Sequence, residues 1–96
     1  MLIGEIFDEF IHVIHENQKY TIGLINENKE VALCSDTKMI SKTVDYNYPN
    51  KNNVFFEIVV KGQEFGYLWV HGEDDSLQMI ANLLHESLTI RLMYEI

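Results

Sequence analysis

Residues Leu24–Asp36 read LINENKEVALCSD. An apolar run breaks at Asn26–Glu30, returns as Val31–Cys34 and stops at Ser35-Asp36. Two β-forming runs around a polar turn predict an antiparallel hairpin. Its first strand spans Tyr20–Ile25 and its second Val31–Cys34. Glu27-Asn28-Lys29-Glu30 supplies the turn, with Asn28 the residue most tolerant of positive φ.

Upstream, Ile3, Ile6, Phe7, Phe10, Ile11 and Ile14 recur every three or four residues, while Glu5, Asp8, Glu9, His12, His15 and Glu16 fill the other face. That spacing predicts an amphipathic helix, which Asn17 can end in the left-handed conformation. Downstream, Ser35 or Asp36 is placed to cap a short helix over Thr37–Lys42. The asparagine-rich stretch TVDYNYPNKNN reads as loop. A second hairpin follows, Val54–Val60 and Phe65–His71, turning at Lys61-Gly62-Gln63-Glu64. Gly72–Ser76 is a break, and Asp75 or Ser76 caps a final helix running to Ile96. The expected order is α-β-β-(α)-β-β-α. It makes one α+β domain over residues 1–96, an antiparallel sheet of about four strands flanked by N- and C-terminal helices, in the manner of PAS and GAF domains.

Ninety-six residues carry a formal charge of −8. Such a chain repels nucleic acid and anionic membranes, since phosphate binding needs clustered Lys and Arg. No apolar run approaches the roughly 20 residues that cross a bilayer. The start MLIGEIFDEF is acidic where a secretory signal is basic, and a lone Cys34 forms no internal disulfide. A cytoplasmic location is expected.

The final helix is apolar on two sides. Leu77, Ile80, Ala81, Leu84, Leu88 and Leu92 form one stripe, and Met79, Leu83, Ile90 and Met93 lie nearly opposite. Packing on its own sheet needs only one stripe. The second must face the first helix or another subunit, and a symmetric homodimer through the terminal helices is expected, with Phe7 and Phe10 contributing. The rival arrangement is a monomer whose first helix covers the second stripe. The apolar pattern runs on through Leu92–Ile96 without a stop, as in a helix that feeds an output domain.

Residues able to carry chemistry are few. His12, His15 and Glu16 fall short of the ligand number a zinc site needs. Cys34 has no neighbouring base and reads as a small buried hydrophobe. Glu57, amid apolar residues, reads as an edge-strand charge facing water. Phe65, Tyr67, Trp69 and His71 share one side of their strand and read as core beneath a helix, or as the wall of a ligand cavity. No catalytic carboxylate pair, phosphate loop or nucleophile elbow is present. The chain is therefore read as a non-enzyme without cofactor or metal, the rival being a small enzyme built on Cys34 or a His/Glu pair.

LINENKEVALCSD followed by TKMIS resembles the start of the sugar-diacid recognition domain, the amino-terminal sensor of carbohydrate-diacid regulator transcription factors. VVKGQEFGYLWVHGEDDSLQMIANLL resembles the closing strands and long helix of the same family. In that pattern Asp36 matches the family's Asp and Ile40 its Ile, whereas Met39 and Ser41 stand where Arg and Gly are found. The loop Thr43–Asn53 is shorter, and the pocket-shaping His-Glu-Gly-Ala segment has no equivalent. The resemblance implies a PAS-like bacterial sensor of small organic acids that dimerises and signals to a separate DNA-binding domain. A ligand would sit between the sheet and the Asp36–Asn53 segment, contacted by Asp36, Lys38, Lys42 and Tyr46, with Tyr67 and Trp69 as apolar walls. Cations are scarce there for an anionic ligand. The alternative reading is a ligand-free interaction and dimerisation module of the same fold.

Overall fold

The computed structural model describes residues 2–14 and 19–95. Helix α1 (Leu2–Ile14) leads into β1 (Thr21–Ile25) and β2 (Val31–Cys34), then a single 3-10 turn over Thr37–Met39. Strands β3 (Asn53–Val60) and β4 (Gln63–His71) follow, and α2 (Leu77–Glu95) closes the chain. The chain is α+β, a four-stranded antiparallel sheet with a helix at each end of the sequence. The expected end of α1 at Asn17 lies outside the described residues.

The strand order is β2-β1-β4-β3. Each hairpin is local, and the two are joined through β1 and β4, where Thr21 faces His71, Gly23 faces Trp69 and Ile25 faces Tyr67. In the first turn Lys29, not Asn28, takes positive φ (65°). Asn26 explains the shift, because its side-chain oxygen accepts from the N–H groups of Asn28 and Glu30 and closes the loop one residue later. The second turn is the two residues Lys61-Gly62, with φ of 52° and 78°. Two positive φ values in succession give the tight turn whose twist matches the strands.

Strand β4 carries a bulge that changes which side chains share a face. Pairing runs from Asn53 opposite His71 to Glu57 opposite Tyr67, then resumes with Val59 opposite Glu64. The extra residue is Gly66, at φ 98°, with the Ile25 carbonyl oxygen lying where its Cβ would be. Only glycine tolerates that position. Phe65 is thereby turned to the face opposite Tyr67 and Trp69, so the four aromatic and histidine side chains expected on one side are split.

The two faces are covered differently. Ile22, Leu24, Ile58, Val60, Leu68 and Val70 pack beneath both helices, with Ile3, Ile6 and Phe7 from α1 and Leu77, Ala81, Leu88 and Leu92 from α2. Each of these large side chains contributes roughly 1.5–3 kcal/mol by leaving water. The opposite face holds Ile25, Val31, Cys34 and Trp69, covered by Met39, Val44 and Tyr46 from the segment after β2. Trp69 and Tyr67 therefore belong to a second, smaller core on the side away from the helices. Gly23 makes room for it, since a Cβ there would meet the Trp69 ring.

Both caps fall on expected residues, Asp36 and Ser76, and differ from expectation in detail. The short helix over Thr37–Lys42 is only one 3-10 turn, capped by Asp36, whose carboxylate accepts from the Lys38 N–H at 3.1 Å. At α2, Ser76 occupies the cap position through its carbonyl, which accepts from Ile80 N–H. The side chain that gathers the N–H group there is Asp74's, bonded to Ser76 N, rather than that of Asp75 or Ser76.

Candidate functional site

Two places are built from unusual residue combinations: the space around Tyr46 and Tyr67, and the outer face of α2.

The rings of Tyr46 and Tyr67 stack 3.8 Å apart at 13°. Tyr46 comes from the cover segment, and its hydroxyl donates to the Glu27 carbonyl at 3.2 Å, tying the cover to the first hairpin. Lys29 adds a second tie, meeting Asp45 at 3.2 Å. Asp45 also accepts from the Asn47 N–H, and this bond first, then Lys29, holds its carboxyl below the usual range. Trp69 is buried, and its Nε1–H donates to Asn53 Oδ1, which also takes a hydrogen bond from His71 Nδ1. A carbonyl oxygen only accepts, so His71 carries its proton on Nδ1.

Of the six residues expected at a ligand site, the fold brings together Tyr46, Tyr67 and Trp69. Asp36, Lys38 and Lys42 are exposed, and Asp36 spends its carboxylate on the 3-10 cap. Met39, Val44 and Tyr46 fill the space between sheet and cover. Beside the cover lies a half-open groove of about 930 Å³ that reaches round to Ile3 and Leu24 on the helix side, lined by Tyr46, Tyr67, Phe65 and the four glutamates Glu27, Glu57, Glu64 and Glu95, with no basic residue in its lining among the described residues. Burial first, then the charges of Glu57 and Glu64, push the Tyr67 phenol pKa up. The field in the groove is negative, which opposes a dicarboxylate.

Edge strands are shielded. Asn50 bridges Asn53 at the start of β3, and His85 of α2 donates from Nε2 to the Glu57 carbonyl at 3.1 Å while stacking on Phe56. Glu57 itself points to solvent from this edge strand, as expected. At the other edge, Ser41 and Lys42 exchange backbone hydrogen bonds with Val31. Both edges are thus partly withdrawn from pairing with another chain. Cys34 is buried, and burial raises its thiol pKa, which keeps it protonated and unreactive. His15 and Glu16 lie outside the described residues, as does the His12 side chain.

The second place is α2. Its inner stripe is buried, whereas Met79, Leu83, Ile90 and Met93 are 58, 53, 54 and 51 % exposed. Helix α1 does not cover them. Among the described side chains of α1, Phe7 is 1 % exposed and Phe10 is partly buried against the same core. Phe7 is therefore a core residue rather than an interface residue, Phe10 sits at the edge of the same core, and the exposed apolar row lies on α2.

The outer stripe has a regularity that an apolar-only reading misses. Met79, Leu83, Glu86, Ile90 and Met93 are separated by four, three, four and three residues, the spacing of a coiled-coil seam. Glu86 is its third and middle position. The flanking seam positions, Ile80, Asn82, Ser87, Thr89 and Tyr94, are all uncharged. The other charged residues of the helix face elsewhere: Arg91 binds Glu9 of α1 at 2.7 Å and Glu95 at 3.3 Å. On a chain of charge −8, this strip is a nearly neutral window.

No protein-family model, curated protein or solved structure matches this chain.

Proposed function

We propose that this domain is an interaction module that pairs with a second copy of itself through the outer face of α2. The observation that carries the reading is the row Met79, Leu83, Ile90 and Met93, each more than half exposed on a helix whose opposite side, Leu77, Ala81, Leu88 and Leu92, is buried. Leaving them in water forgoes roughly 1.5–3 kcal/mol of burial each. A second copy suits the surface because coiled-coil spacing is self-complementary under a two-fold axis. It also suits the charge, since uncharged flanks let two acidic chains approach where repulsion is least.

Ligand sensing in the manner of sugar-diacid recognition domains has less support. The room beneath the cover is taken by Met39, Val44 and Tyr46, and the adjoining groove is ringed by carboxylates. A regulatory role as the pairing element of a larger transcriptional assembly is compatible with the module reading, with the α2 face as its output.

Sedimentation velocity across a wide concentration range tests the proposal. The wild-type chain should shift from one-chain to two-chain mass, and Leu83→Glu or Ile90→Glu should stay at one-chain mass with an unchanged circular dichroism spectrum. A wild-type chain that stays single at the highest concentration ends the reading. Thermal shift against a panel of small dicarboxylates should give no stabilisation, and a saturable rise in melting temperature would revive the sensor.

A further inference from the structure

Glu86 is the one ionised group in the middle of an otherwise neutral apolar seam, and we infer that it sets the strength of self-pairing, holding it weak and exchangeable. The inference rests on the pairing reading above. Full overlap of two stripes, with the second helix running in either direction, sets the third of the five positions against the third position of the copy. Glu86 then lies at or beside the two-fold axis, next to its own counterpart. Two carboxylates brought together while losing water oppose association. A polar residue at one seam position lowers stability and holds the register at the same time.

No cation on the helix is placed to relieve this repulsion. Arg91 is engaged with Glu9 and Glu95, and the seam positions nearest Glu86 are Leu83, Asn82, Ser87 and Ile90. The seam itself is short. Met79 and Met93 lie fourteen steps apart, about 21 Å along the helix, a short contact beside a standard stable interface of approximately 800 Å² per partner. A short seam with a charge at its centre gives an association that concentration or a change at Glu86 can switch. Any event that removes or balances that charge strengthens the pair.

The test uses the full chain in sedimentation equilibrium, comparing wild type with Glu86→Gln, Glu86→Leu and Ile90→Glu, and mixing wild type with Glu86→Lys. Glu86→Gln should tighten the dimer by about tenfold and Glu86→Leu further. An equimolar mixture of wild type and Glu86→Lys should form mixed dimers in excess of the statistical share, because the two charges then attract. If Glu86→Leu leaves the dissociation constant within twofold of wild type while Ile90→Glu abolishes dimers, Glu86 does not control pairing although the α2 face does. If wild type and Glu86→Leu both stay monomeric, the pairing reading itself fails.

Discussion

The phenol of Tyr20 reaches both carboxylate oxygens of Asp74, at 2.7 and 2.8 Å. These residues lie 54 positions apart, and their contact fastens the entry of β1 to the turn that launches α2. Asp74 also accepts from Ser76 N–H, so one carboxylate joins the sheet and the helix start. The Asp74 hydrogen bond, followed by burial, raises the Tyr20 pKa above 10.0.

That shift gives stability a definite alkaline limb. A raised folded-state pKa means the unfolded chain loses its proton first as pH climbs, so the contribution is complete below 10.0 and disappears as pH rises through the folded value. Cys34, whose pKa is raised above 9.0 by burial, starts its own loss earlier. Urea midpoints should therefore decline from about pH 9 upward. Tyr20→Phe should lower the midpoint at pH 7 and flatten the limb above pH 10, and an identical alkaline slope in the variant would mean that Tyr20 is not responsible.

Leu83 and Leu88 test the two sides of α2 against each other. Leu88 is fully buried and Leu83 is 53 % exposed. Leu88→Ala should cost about 2–5 kcal/mol in urea unfolding. Leu83→Ala, measured at a concentration where the chain is single, should fall within about 0.5 kcal/mol of wild type, while weakening self-association.

Thr89 holds a buried hydroxyl oxygen with no partner among the described residues. Its desolvation is uncompensated, so Thr89→Val, which keeps the shape and removes the polar atom, should stabilise the fold by about 1 kcal/mol. Equilibrium unfolding in urea measures it, and a loss of stability would show that the hydroxyl is bonded in solution.

Gly66 should resist replacement. Its φ of 98° and the Ile25 carbonyl against its Cβ position make Gly66→Ala destabilising by more than about 1 kcal/mol. The same change at exposed Gly62 keeps the backbone strain but meets no neighbouring atom, so its loss should be smaller. Equal effects would argue that backbone conformation alone matters.

Local rules carried much of the fold. The hairpin around Asn26–Glu30, the tight turn at Lys61-Gly62 and the three- and four-residue rhythm of α1 are all written in neighbouring residues, because strand alternation, turn chemistry and helical period act over a few positions. The outer stripe of α2 was legible for the same reason, and so was the exposure of Glu57. The place of Glu86 in the seam was equally present in the spacing, though hidden to a reading that counts apolar residues alone.

The rest depended on contacts between distant segments. Whether β1 would join β4, and so which face of Trp69 and Tyr67 met the helices, was settled by pairing across more than forty residues. The bulge at Gly66 reversed Phe65, an outcome of fitting β4 between two partners rather than of its own pattern. Phe7 and the cover residues Met39, Val44 and Tyr46 went inward because apolar area leaves water wherever the assembled surface offers room, and that room exists only once the sheet is built. Sequence determined the elements and the two-sided character of the last helix, and tertiary packing chose which of its sides stayed in water.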